Sequence, residues 1–141
     1  MYFRIERAEE LLPEIEPELR EAVSLYQFLK DAEQQFEAAV ERVAMLGGAL
    51  LGANGLLTKR GRRDALASRL QESLDAIQER GCFVKDLDAG LIDFPTLFHG
   101  EEVFLCWQLG EEKIAFWHGI EEGFGGRKAI DREFFEEHAG E

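Results

Sequence analysis

Residues 82–109 read CFVKDLDAGLIDFPTLFHGEEVFLCWQL. Through most of this stretch polar and apolar side chains alternate, and glycine falls at hairpin spacing, at Gly90 and Gly100. A period of two is that of a strand, whose successive side chains leave opposite faces of a sheet. Asp88-Ala89-Gly90 and His99-Gly100 are turn signals, because glycine reaches left-handed backbone conformations at no steric cost. The stretch therefore predicts three strands, 82–87, 91–98 and 102–109, joined as an antiparallel meander. A fourth, KIAFWH (113–118), follows the turn signal Gly110-Glu111. Pro95 cannot donate to a ladder, so a bulge or break is expected near Asp93-Phe94-Pro95.

Turn lengths set the register, and the register sets the faces. A three-residue loop at 88–90 puts Leu87 opposite Leu91 and Lys85 opposite Asp93. A two-residue turn at His99-Gly100 puts Phe98 opposite Glu101 and Asp93 opposite Cys106. One face then carries Val84, Ile92, Phe94, Phe98, Val103, Leu105, Trp107 and Leu109, and is the expected core. The other carries Phe83, Lys85, Leu91, Asp93, Leu97, Phe104, Cys106 and Gln108, apolar around a polar row. The third turn decides His118. Two residues at Gly110-Glu111 place it on the core face with Ile114 and Phe116; three place it in the row with Asp93 and Cys106. The Gly-Glu pair and the apolar fit favour the core face.

Upstream the period changes. Leu12, Ile15, Leu19, Ala22, Tyr26, Leu29, Glu33, Phe36, Val40 and Val43 follow steps of three and four, the seam of a helix packed lengthwise on another. Proline is tolerated in a first turn and not inside a helix, so the unbroken helix is expected to start near Pro17. Residues 7–12 would form a separate short turn, and YFRI before it a strand. Gly47 and Gly48 would stop the helix. A second helix, 62–80, has Ala67, Leu70, Leu74 and Ile77 on one face, with Gly81 as its stop. After the sheet, IDREFFEEHAGE (130–141) begins with the N-cap candidate Asp131 and reads as a short last helix.

These elements make an α+β fold in one domain, residues 1–141: a long antiparallel helical hairpin (7–80) packed on an antiparallel β-meander (82–130), with a short C-terminal helix. The first helix outruns the second and leaves part of its seam bare, as does the apolar part of the second sheet face. A homodimer is therefore expected.

Hydrophobic content of 45% and charged content of 32% suit a soluble globular chain. A net charge of −13 repels phosphate backbones and anionic lipid, which disfavours nucleic acid as a main partner. The longest uncharged run, Val43 to Leu57, has 15 residues and four glycines, too short for a membrane span of about 20. Cys82 and Cys106 make no C-x-x-C, and MYFRIERAEE lacks an apolar signal core. Both facts point to a cytoplasmic protein with free thiols.

Candidate site residues lie on the second sheet face and the loops near it. Asp93, Cys106 and His118 offer a carboxylate, a thiolate and an imidazole, which suit zinc or a similar divalent metal. Their spacing is no known ligand motif, and the competing reading is a Lys85–Asp93 cross-strand pair, a structural thiol and a satisfied histidine. For a small ligand the candidates are Lys85, Asp93, Cys106, Glu111 and Arg127. The Arg127 guanidinium suits a carboxylate or phosphate, or a loop-locking bridge to Glu111 or Asp93. Trp107 and Trp117 read as core or interface aromatics. KRGRR (59–63) reads as a solvated patch or one that pairs with acids of another subunit. No serine-hydrolase or zinc-protease motif appears.

The segments GCFVKDLDAGLIDFP (81–95), LCWQLGEEKIAFWH (105–118), GFGGR (123–127) and FRIERAEELLP (3–13) resemble a bacterial family, domain-of-unknown-function family 2203. The resemblance is weakest across 47–63, and at 119–122 this chain reads GIEE, a departure from the pattern. It implies that Lys85, Asp86, Asp93, Cys106, Trp107, Glu111, Trp117, His118 and Arg127 are motif positions, and it transfers no activity. Two functions stay open: a noncatalytic interaction or assembly module, which the sequence favours, and a small-ligand or divalent-metal-binding protein, or an enzyme, with its site on the second sheet face. Convergence of the polar side chains on a cavity would favour the second.

Overall fold

The computed structural model describes residues 1–47, 53–122 and 124–141. Two helices, α1 (Ile5–Met45) and α2 (Ala53–Gln78), pack together as the hairpin. Strands β1 (Phe83–Asp86), β2 (Leu91–Phe98), β3 (Glu101–Gln108) and β4 (Phe116–Gly119) follow in order as an antiparallel meander. A two-residue strand β5 (Lys128–Ala129) extends it beyond β4. Then come α3 (Arg132–Glu137) and β6 (His138–Ala139), which returns to pair with β2. Sequence periodicity is silent on β5 and β6, since two residues carry no period.

Helix α1 does not wait for Pro17. It begins at Ile5 and runs through both prolines. Each proline removes one bond to the carbonyl four residues back, at Glu9 and at Pro13. Pro13 and Pro17 lie on the exposed side, so water can take those carbonyls. Residues 7–12 are thus inside α1, and Tyr2–Arg4 is an extended segment outside any strand. Phe3 N–H donates to the Pro95 carbonyl (2.7 Å), and Arg4 N–H to the Glu141 carbonyl (3.0 Å). The first turn of α1 has no local side-chain cap. His138 supplies one from the far end of the chain: Ile5 N–H donates to its Nε2 (3.0 Å), while its Nδ1 faces the Phe135 carbonyl (2.7 Å).

The buried stripe of α1 follows the expected seam to Ala22, then buries Leu25 where the seam predicts Tyr26 and leaves Tyr26 half-buried against the core. It rejoins the seam at Leu29 and then takes Ala32 in place of Glu33; Val40 is exposed. Ala32 is small and lets α2 approach, whereas Glu33 keeps its charge in water. The stop at Gly47 has the left-handed backbone expected (φ 67°), and Gly48 lies outside the described residues. Helix α2 starts at Ala53, nine residues before Arg62, and ends at Gln78. It tolerates Gly55 and Gly61, each worth about 1 kcal/mol against a helix. Arg63 covers the Phe36 ring (4.4 Å), and Arg80 ties to Glu18 across the hairpin (3.0 Å from Nη2).

In the sheet, His99 (φ 53°) and Gly100 (φ 77°) make the two-residue turn, and Asp93 faces Cys106 as that turn length predicts. The β2–β3 register runs unbroken through Pro95, contrary to the expected bulge. The Pro95 carbonyl accepts from Phe3, away from β3, so its missing N–H also points away from that ladder. The irregularity lies in β1 instead. Phe83, not Lys85, opposes Asp93, and the register shifts between Val84 and Asp86. Asp86 explains the shift, because its Oδ1 accepts from the N–H groups of Asp88 (2.8 Å) and Ala89 (3.2 Å) and tightens the loop into an Asx turn. The displacement is of two residues, so Lys85 keeps its face.

The core face matches expectation. Ile92, Phe94, Leu105 and Trp107 are buried in one apolar cluster with Ile15, Leu19 and Ala22 of α1 and Leu70 and Ile77 of α2. Helix α3 closes this face. Asp131 caps it (2.8 Å to Phe134 N–H), and Phe134 stacks on Trp117 (4.7 Å between ring centres).

Candidate metal centre

β4 is where register and chemistry meet. A two-residue turn after Leu109 would set Phe104 opposite Trp117. The structure sets Phe104 opposite His118 and Cys106 opposite Phe116, one residue along, and β4 begins at Phe116 and not at Lys113. Gly110 alone does not make the loop. The Glu111 side chain accepts from Gln108 N–H (2.6 Å) and from Arg127 Nη2 (2.7 Å), and the Glu111 carbonyl accepts from Trp107 Nε1 (3.0 Å). Glu111 N–H also donates to the Gln108 carbonyl (3.0 Å), closing a backbone turn with Gly110 at φ 102°, and the chain then runs on from Glu111 to Phe116 before it pairs again, which admits the extra residue. His118 therefore leaves the core face and joins Asp93 and Cys106.

All three are buried: Asp93 is 1% exposed, Cys106 2% and His118 4%. Their ligand-capable atoms lie within 4.8 Å of one another. His118 Nε2 stands 3.0 Å from Asp93 Oδ2, above the strand that carries Cys106. Nδ1 of the same ring is 2.8 Å from the Gly119 carbonyl, an acceptor that commits the Nδ1 proton. Nε2 is thus the atom turned to the cluster, and it meets the carboxylate through a shared proton or a shared cation. A carbonyl holding the other ring nitrogen is the usual way to aim a histidine at a metal. Asp93 Oδ1 is buried with no hydrogen-bond partner among the described residues, an expensive state for a polar atom. Burial pushes the Cys106 thiol up to about 11, with the Asp93 carboxylate adding to the rise and Arg127 opposing it. A thiolate here needs a cation beside it.

The cluster opens on a pocket of about 280 Å³ that Lys85, Asp86, Leu91 and Glu122 complete. Lys85 stands at 5.6 Å over the Phe104 ring, and the Lys85–Asp93 pair is not made. Glu122 is the residue that pattern reading missed. Its Oε1 accepts from Gly119 N–H (2.9 Å) and from Lys128 Nζ (2.7 Å), and these two partners hold its carboxyl below the ordinary range. A Cβ on Gly119 would come within 2.9 Å of that oxygen, and one on Gly126 within 2.7 Å of the Glu122 Cβ. Glycine at both positions makes room for Glu122, which holds Gly119 on both sides: its side chain accepts from the Gly119 N–H, and its own N–H donates to the Gly119 carbonyl (3.1 Å), the carbonyl that faces His118 Nδ1. The departure GIEE at 119–122 thus carries the residue that orients the ring.

Glu111 and Arg127 do not join the cluster. They form the loop-locking bridge beside it, and Arg127 Nη2 lies 3.4 Å from the Cys106 carbonyl. Arg127 also lies over the Phe116 ring (4.2 Å).

The fold and site define a class: an α+β protein whose antiparallel sheet carries a helical hairpin on one face and a buried carboxylate–thiol–imidazole cluster on the other. The chain belongs to the family described as "Uncharacterized conserved protein (DUF2203)", whose model matches residues 1–130. No curated protein and no solved structure matches it.

Proposed function

We propose that the protein binds a divalent transition-metal ion of the zinc class through Asp93, Cys106 and His118. The observation that carries this is the mutual approach of three buried donor atoms of different chemistry, one of them aimed by a backbone carbonyl. Oxygen, sulfur and nitrogen donors together suit zinc, and the unpaired Asp93 oxygen gains a partner when a cation is present. Three protein donors leave a fourth tetrahedral position on the pocket side, the arrangement that lets a metal hold water or a small ligand. The function is therefore ligand or metal binding at the second sheet face, with Lys85 at the mouth of the pocket.

The test is elemental analysis of protein purified without chelator or affinity tag, with cobalt substitution as a second readout. About one ion per chain is expected, with thiolate-to-cobalt absorption that Cys106→Ser abolishes. Protein that neither carries nor takes up metal would overturn the proposal.

An interaction module is the second reading, favoured by the exposed side chains of Phe28, Val40 and Leu57 on the hairpin. Two free, buried cysteines support a reducing, cytoplasmic setting. No helix among the described residues is long and apolar enough to cross a membrane. The net charge of −13 argues against polyanionic partners.

A further inference from the structure

We infer that the outer half of the helical hairpin is the contact surface of a homodimer, in which the α1 helices of two copies run antiparallel side by side. None of residues 33–45 of α1 or 55–65 of α2 is buried, so the two helices cover each other there incompletely. Between them lies a groove of about 270 Å³, lined by Ala39, Val43, Leu46 and Leu56 together with Arg42 and Lys59. An apolar lining that includes two cations fits an apolar side chain that has an acid beside it. This chain carries such a pair: Phe28, 54% exposed, and Asp31 one turn on.

The spacing makes the surface self-complementary. Phe28 and Leu46 are eighteen residues apart, about five turns, so they lie on the same side of α1. Asp31 and Arg42 are eleven residues apart, about three turns, on nearly the same line. Neither forms an ion pair among the described residues; Asp31 accepts only from Gln35 Nε2 (2.9 Å). A two-fold axis that sets Asp31 against the partner's Arg42 sets Phe28 over the partner's groove, between Val43 and Leu46. Each contact then occurs twice, as an isologous interface requires. The surface shares no residue with the metal cluster, so the two proposals stand or fall separately.

Light scattering behind size exclusion at up to ~100 micromolar tests it, a range that resolves dissociation constants of ordinary dimers. The wild type is expected at twice 16.0 kDa. Phe28→Glu is expected to raise the dissociation constant at least about tenfold, as loss of a buried aromatic anchor does. Its circular dichroism should be unchanged, because Phe28 is exposed in the single chain. Asp31→Arg should weaken the dimer, and Asp31→Arg with Arg42→Asp should restore it. A wild type at single-chain mass throughout would overturn the inference. So would a dimer that Phe28→Glu leaves intact, or a charge reversal that does not rescue.

Discussion

The two faces of one sheet are buried alike and built differently. Ile92 and Asp93 are neighbours on β2, 0% and 1% exposed, and so are Leu105 and Cys106 on β3, at 0% and 2%. On the core face such positions are filled by apolar side chains packed against the hairpin or α3, apart from Thr96, whose hydroxyl donates to the Ala139 carbonyl (3.2 Å). On the second face the same depth holds a carboxylate, a thiol and an imidazole. Burial of an apolar side chain stabilises by about 1.5–3 kcal/mol. Burial of an ionic pair often contributes less than apolar packing of the same volume would. The first face is therefore where stability is made, and the second is where some of it is given up to a buried polar cluster. The two free thiols repeat the contrast. Cys82 is embedded in the core and donates to the Ile77 carbonyl (3.4 Å), whereas Cys106 faces Asp93 and the pocket.

The contrast can be broken most sharply at Phe94, fully buried and edge-on to Phe3 (5.4 Å). Phe94→Ala is expected to lower stability by about 3–5 kcal/mol in chemical denaturation. A loss below about 1 kcal/mol would mean that the core face does not dominate.

On the second face, in protein stripped of metal, His118→Leu should destabilise by about 3–5 kcal/mol, because it strands the Asp93 carboxylate. Asp93→Leu combined with His118→Leu should recover most of that loss and bind no metal. A double variant no more stable than the single one would show that the polar pair is itself structural, and the contrast would fall.

A smaller effect comes from pH. Burial raises the Cys82 thiol from its ordinary 9.0 to about 11. The folded chain thus holds this proton more tightly than the unfolded chain does. The associated stability is complete below about pH 9 and is lost as pH rises towards about 11, roughly 2–3 kcal/mol in all. Cys82→Ala should flatten that decline in denaturation curves taken across the window.

The smallest effect sharpens the second face alone. Glu122→Gln keeps the shape of the side chain but weakens its hold on Gly119 N–H and Lys128. Metal affinity is expected to fall about 10–100-fold in competition titration, with stability of the metal-free chain nearly unchanged. An affinity equal to wild type would remove Glu122 from the orienting chain that ends at His118.

Much of this was legible in the residues. Alternation from Cys82 onward fixed which side chains share a face, and the His99-Gly100 turn fixed Asp93 opposite Cys106, because a two-residue turn admits one register. Three-and-four spacing fixed the hairpin and most of its seam as far as Leu29. Local chemistry also named Asp131 as a cap and offered Glu111 or Asp93 as a partner for Arg127. What tertiary structure decided was everything that depends on a distant partner. Pro13 and Pro17 stay inside α1 because the fold leaves their side of the helix to solvent. His138 caps α1 from the other end of the chain. Above all, the face of His118 follows from the loop after β3, where Glu111 ties to Arg127 and the chain runs on to Phe116 before it pairs again, which admits one more residue. A sequence written in single residues records the candidates for that tie, but only the folded loop counts how many residues it spans, and that count turns His118 from the core toward Asp93.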